Sequence, residues 1–287
     1  MLRFVSGALA GPVGGAVARA ALRALQGDPR LERTNFRGRT VTLAGGPALA
    51  LGATAGAVVH RPEHAAATAI AGLGSGAVGL YDDLVGGRPE HAAKGFRGHV
   101  GALREGRVTS GLVKIAGVGA AGLAAAALLP RRRKVDVLLG AGVIAGAANL
   151  FNLLDLRPGR ALKAGLVAGT PLGASGPLGA ASALLPADLG EEIMLGDAGA
   201  NALGALLGTA YTARTGTFGR LVALAGIAAL TAASERVSFT KVIEGNPLLN
   251  RLDQWGRRPL DAPEAGPDPE GDADERKPRK PSPYPRG

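Results

Sequence analysis

Eight stretches of this chain, 4–18, 40–59, 65–81, 115–129, 137–154, 164–186, 198–213 and 221–234, contain no charged residue. That many apolar runs leave too little polar surface to coat a water-soluble fold, so they read as membrane-span candidates. A helix needs ~20 residues to cross ~30 Å of hydrocarbon, and the shorter runs are extended by flanking Arg and Lys that snorkel. The reading is an all-α, polytopic transmembrane bundle of about 8–10 helices. A soluble bundle of Ala/Gly-rich helices is the competing reading.

Composition narrows what these helices can do. With six Phe, three Tyr and one Trp against 46 Gly, large aromatic cores are excluded. Small residues at i, i+4, as in Gly142–Gly146 and Gly204–Gly208, let helices approach closely in lipid. The absence of Cys closes disulfides, Cys-ligated zinc, iron–sulfur clusters and thiol nucleophiles. The net charge of +10 lies between the runs. Six Arg fall in 19–39 and five Lys/Arg in 88–107, against one near Arg61, which places the two rich loops in the cytoplasm. The cluster Arg131, Arg132, Arg133 and Lys134 falls on the other side and breaks that pattern. The first run has no basic start or cleavage site and reads as a retained span. Residues 1–234 form the membrane part, 235–260 a basic cytoplasmic segment, and 261–287 a Pro-rich charged tail that reads as disordered.

Polar residues at span ends carry the chemistry, because each is costly there unless paired, solvated or bound to a metal. Asp82 and Asp83 close the third run, and two adjacent carboxylates call for a cation or donors; a pair of interfacial charges ending a helix is the bland alternative. Asn149, Asn152 and Asp155 recur every third residue and share one helix face. After them Arg157, Arg160 and Lys163 surround a Pro-Gly turn, as in a phosphate cradle, or serve as interfacial anchors beside amides that bond neighbouring helices. Asp197 opens a small-residue helix, where a negative charge is favourable in any case. Lys94, with His91, Arg97 and His99, follows the acid pair in a basic loop that is otherwise merely solvated. Carboxylates, amides and guanidinium groups on loops beside spans suit Mg²⁺-assisted phosphoryl transfer. There is no nucleophile elbow or HExxH spacing, and no aromatic platform for nucleic acid.

In order and spacing, GLYDD, KGFRGH, NLFNLLD and MLGDAGANALG resemble the polyprenyl-phosphate N-acetylhexosamine-1-phosphate transferase superfamily, which includes phospho-N-acetylmuramoyl-pentapeptide transferase. The likeness runs from about Asn35 to the helix after Asp197. It implies a Mg²⁺ site on cytoplasmic loops of a multi-pass plasma-membrane protein of cell-envelope glycan synthesis. There a polyprenyl phosphate attacks a UDP-amino sugar and UMP leaves. It further implies catalytic roles for Asp82, Asp83 and Asp155, metal ligation by Asp197 and Asp83, and substrate binding by Lys94, Asn149, Asn152, Arg157, Arg160 and Lys163. A homodimer is compatible with this reading; nucleic acid is not a partner.

Three departures stand out. Gly86 occupies the position where the family pattern has Lys, Pro158 stands where it has a further Asp, and a His-rich loop is absent, so muramoyl-pentapeptide is not the expected donor. Asp155 and Asp197 must also face one compartment with only 23 uncharged residues, 164–186, between them. The chain is therefore expected to turn back at GTPLGASGP, as two short helices or a re-entrant hairpin. Two other classes remain: a non-catalytic relative that binds lipid phosphate or an envelope-assembly partner, and a small membrane transporter.

Overall fold

The structure, a computed structural model, describes residues 2–35, 37–86, 109–130 and 133–259. Lys94, His91, Arg97, His99, Arg131, Arg132 and the expected tail 261–287 lie outside the described residues. The helices below all belong to one compact unit, Met1–Arg257.

Among the described residues the fold is all-α apart from one short ribbon. Its helices are α1 (Leu2–Leu25), α2 (Gly45–His60), α3 (Ala65–Ala69), α4 (Ser75–Val85), α5 (Ser110–Leu128) and α6 (Val135–Leu154). They continue with α7 (Arg160–Gly169), α8 (Ser175–Leu189), α9 (Gly196–Arg214), α10 (Thr217–Ser234), α11 (Phe239–Gly245) and α12 (Pro247–Gln254). A π-helical turn, Ile70–Gly74, joins α3 to α4. Among the described residues, α5, α6 and α10 are long and apolar enough to cross a membrane, with mean hydropathies of 1.7, 1.9 and 1.5. The other apolar runs form helices that are shorter or more polar.

The ribbon departs from an all-helical expectation. Strands β1 (Glu32–Thr34) and β2 (Thr40–Thr42) pair antiparallel, Arg33 opposite Val41. Thr42 also exchanges backbone bonds with the segment before α9: its N–H donates to Glu192 O at 3.3 Å, and Met194 N–H donates to its carbonyl at 2.8 Å. Three strand residues at a time, ending in Asn-Phe-Arg-Gly, carry no alternating apolar pattern long enough to read from sequence.

Small residues set the helix spacing. A Cβ on Gly204 would lie 2.3 Å from Ala147 O, and one on Gly208 would lie 2.9 Å from Ile144 Cα, so α9 packs backbone to backbone on α6. Gly142 and Gly146 of α6 receive Leu224 and Ile227 of α10. Both small-residue pairs expected from the sequence therefore lie in helix contacts. The tightest corner is α1, α2 and α8: a Cβ on Gly179 would stand 2.0 Å from Gly11 O, and one on Gly56 would stand 2.5 Å from Ala10 O. Leu49, Leu162, Leu184 and Leu203 fill the adjoining core and are fully buried.

The chain turns back between α7 and α8, as the spacing of Asp155 and Asp197 demanded. Gly159, at φ +74, opens α7, and its N–H donates to Asp188 Oδ2 near the end of α8 at 2.8 Å. A Cβ on Gly159 would strike Leu189, while one on Gly169 would touch Leu178. The start of α7 thus faces the end of α8, and the end of α7 faces the start of α8. The two helices form a hairpin, and Asp155 and Asp197 emerge at the same end of the bundle.

Candidate functional site

The site is built where the C-terminal ends of α4 and α6 meet the N-terminal ends of α5 and α9. Gly79 lets α4 touch the first turn of α9, since a Cβ there would lie 2.4 Å from Asp197 O. Asp83, one turn further along α4, then reaches the open end of α9. Its Oδ1 accepts from Asp197 N–H and its Oδ2 from Ala198 N–H, both at 3.0 Å. These are two of the N–H groups a helix start leaves unpaired, and a carboxylate there also meets the positive end of the helix dipole. Gly196, at φ +56, completes the turn; a Cβ on it would sit 2.8 Å from Asp83 Oδ2.

Asp82 meets a cation instead. Lys114, one turn into α5, brings its Nζ to 2.8 Å from Asp82 Oδ2 and also bonds Asp197 Oδ2. Asp82 lies within hydrogen-bond reach of Ser110 and of the Asp197 carboxyl as well. Asn152 of α6 donates Nδ2 to Asp197 Oδ1 at 2.9 Å, with Asn201 Oδ1 at 3.5 Å. Each oxygen of Asp197 therefore has its own donor. The two adjacent acids answer their mutual repulsion differently: Asp83 uses a helix end and Asp82 an ammonium.

Asp155 follows the last residue of α6 and lies against the Gly196 backbone, within electrostatic reach of Asp83, Asp188 and Asp197. It lines a cleft of about 640 Å³, counted with its open mouth, together with Asn35, Arg157, Asp188 and Glu191. The β-ribbon forms one wall. Asn35 Nδ2 donates to Glu191 Oε2 at 2.8 Å, Arg37 pairs with Glu191 at 3.0 Å, and Arg33 donates to the Asp83 carbonyl at 2.8 Å.

The expected residues divide into three groups. Asp82, Asp83, Asn152, Asp155 and Asp197 converge, and Arg157 lines the adjoining cleft. Asn149 is exposed on α6 and stands apart from these bonded side chains. Arg160 and Lys163 face elsewhere and hold the C-terminal helices. Arg160 grips Asp253 with two bonds of 2.9 and 3.0 Å and reaches Thr240 Oγ1 at 2.9 Å. Lys163 donates to the carbonyls of Leu252, Asp253 and Trp255 at the end of α12. Arg257 adds a 2.6 Å contact to Asp253. Burial opposes ionisation of Asp253, but the bonds from Arg160 and the nearby charges of Arg257, Arg160 and Lys163 outweigh it and hold the carboxyl below its ordinary range.

The residue that sequence reading passed over is Lys114. Its only signal was one ammonium at the threshold of an apolar run, where a snorkelling anchor is the ordinary explanation. Asn201 and Asp188 were equally silent, the first inside a run and the second between two. As for a metal, no three His, Asp or Glu side chains among the described residues are gathered as ligands. The donor chemistry still fits Mg²⁺: a hard ion that uses one or two carboxylates and completes its shell with water and substrate phosphates. Asp82, Asp83, Asp155 and Asp197 are the carboxylates at this end that could supply such oxygens, Asp82 and Asp197 sharing the Lys114 ammonium.

No protein-family model, curated protein or solved structure matches this chain.

Proposed function

We propose that the chain is a multi-pass plasma-membrane transferase that moves a sugar-1-phosphate from a UDP-amino sugar to a polyprenyl phosphate, with Mg²⁺ and release of UMP, on the cytoplasmic side. The observation that carries this reading is the meeting of Asp82 and Asp83, Asn152 and Asp155, and Asp197, drawn from three separate stretches, at one end of an apolar helix bundle.

In this reading an oxygen of the polyprenyl phosphate forms a bond to the β-phosphorus of the donor. The bond from that phosphorus to the oxygen it shares with the α-phosphorus breaks, and the oxygen leaves with UMP. Mg²⁺, held by Asp197 with Asp83 beside it, would neutralise charge on the diphosphate. Asn152 orients the Asp197 carboxylate. Lys114 keeps Asp82 and Asp197 together despite their like charge and offers an ammonium to the departing phosphate. Asp155 lines the cleft, where it can take a proton from the acceptor phosphate, whose second ionisation lies at about pH 6. Arg157 on the same wall suits a phosphate of either substrate.

The deciding experiment incubates purified protein, Mg²⁺ and polyprenyl phosphate with a panel of UDP-sugars and measures UMP. Release by the wild type and its loss in Asp197→Asn is expected. If no donor yields UMP above the variant background, the site is a binding site and the transferase reading fails.

A further inference from the structure

The end of the bundle opposite the acid cluster carries a second cleft that the proposed transfer does not use. Its polar wall is His60 and Arg61 at the end of α2, His64 of the following 3₁₀ turn, Thr68 of α3, and Arg214 in the last turn of α9. Its apolar wall comes from Ala57, Leu206 and Ala210, and from Pro177 just past the α7–α8 turn. The space is about 520 Å³, counted with its open mouth. Arg214 is 17 residues along α9 from Asp197, which at 1.5 Å per residue is about 26 Å, close to the thickness of a membrane's hydrocarbon layer. A ligand here cannot be the group reacting at the acid cluster.

Charge identifies what the cleft is suited to hold. Arg61 and Arg214 lie within electrostatic reach of His60 and of each other. Arg61 has Glu63 at 3.5 Å. Arg214 pairs with no carboxylate among the described residues; its NH1 donates to the Ala210 carbonyl of its own helix at 2.9 Å. His60 contributes a buried Nδ1 with no hydrogen-bond partner. Like charges gathered on two walls of one cleft, with Glu63 the one acid beside them among the described residues, lower their energy by taking an anion between them. Guanidinium forks approaching from different helices match a tetrahedral phosphate, which accepts from several directions, better than a planar carboxylate.

We propose that this cleft binds a phosphate group at the membrane face opposite the acid cluster, carried either by an anionic lipid or by a soluble phosphate. The proposal does not depend on the transferase reading, since neither its residues nor its test involve UMP.

The test uses the full-length protein. Native mass spectrometry with added dioleoylphosphatidylglycerol and calorimetric titration with inorganic phosphate are run on wild type, Arg61→Gln/Arg214→Gln and the single variant Arg214→Gln, whose side chain is exposed and whose folding is checked by circular dichroism. Wild type is expected to bind at least one probe, with affinity falling about tenfold in the double variant and by a smaller factor in the single one. Binding of the lipid alone assigns a lipid headgroup; binding of inorganic phosphate, with or without the lipid, assigns the free anion. A wild type that binds neither, or folded variants that bind as tightly as wild type, overturns the proposal. Should the double variant not fold, unchanged binding by Arg214→Gln overturns it alone.

Discussion

The two ends of α9 solve opposite electrostatic problems. At its start, Asp82 of α4 and Asp197 of α9 share one ammonium, and each oxygen of Asp83 and Asp197 is given a donor. At its far end, cations gather, and one of them is consumed by structure: Arg220 of α10, 2% exposed, donates to the carbonyls of Asp136, Pro130 and Thr212 at 3.0, 2.9 and 2.8 Å. That clamp ties α10 to the α5–α6 turn and to α9. It also places a buried charge where the sequence shows only an ordinary flanking Arg. The partners differ in kind: side chains and open helix N–H groups answer the acids, whereas main-chain carbonyls answer the buried guanidinium.

The largest effect should come from the acid end. Asp197→Asn removes the charge but keeps the shape, and UMP release should fall by about 100-fold or more while the fold survives. Next is Arg220→Met at the far end. It removes three charge-assisted bonds and should cost about 3 kcal/mol of stability, read by thermal unfolding in detergent, while UMP release per folded molecule stays unchanged. Loss of activity comparable with Asp197→Asn would erase the distinction between the ends. Lys114→Met leaves Asp82 and Asp197 facing each other without their cation. UMP release should drop about tenfold, and added Mg²⁺ should raise the thermal midpoint more in the variant than in wild type. An equal rise in both would show that Lys114 and the ion do not compete for the same charge.

The smallest effect at neutral pH concerns the segment locked beneath the acid end. The Asp253 carboxyl is held below its unfolded value of 3.8. Its contribution is therefore complete above that value and is lost only as pH falls through the lower, folded one. Proteolysis within α11 and α12 should be flat from about pH 7 to about pH 5 and rise in more acid solution. In Asp253→Asn it should be fast at every pH. A wild-type segment that opens already at neutral pH would remove Asp253 as its lock.

Much of the acid end was legible from sequence because its residues are conspicuous where they stand: Asp82, Asp83, Asp155 and Asp197 are acids at the borders of apolar runs, which lipid tolerates only with a partner. The turn between α7 and α8 was legible from parity, since two acids at one end cannot be separated by a single crossing. Arg160 and Lys163 show the limit. Beside a Pro-Gly turn they resemble a phosphate cradle, and nothing local reveals that Asp253, 93 residues on, claims Arg160. Lys114 and Arg220 were hidden for the same reason: a basic residue flanking a span looks alike whether it snorkels to water or turns inward. The ribbon was hidden by its length, and its pairing with 192–194 depends on contacts across more than 140 residues.

The glycine corner of α1, α2 and α8 sets a condition on motion. Where main chains already touch, there is no side-chain layer to slide or re-pack, so those three helices form a fixed hinge block. Opening and closing around a substrate must instead come from elements that lean on the block without fusing to it. Helix α10 stands outside the block, packed on α6 through Leu224 and Ile227 and pinned by Arg220.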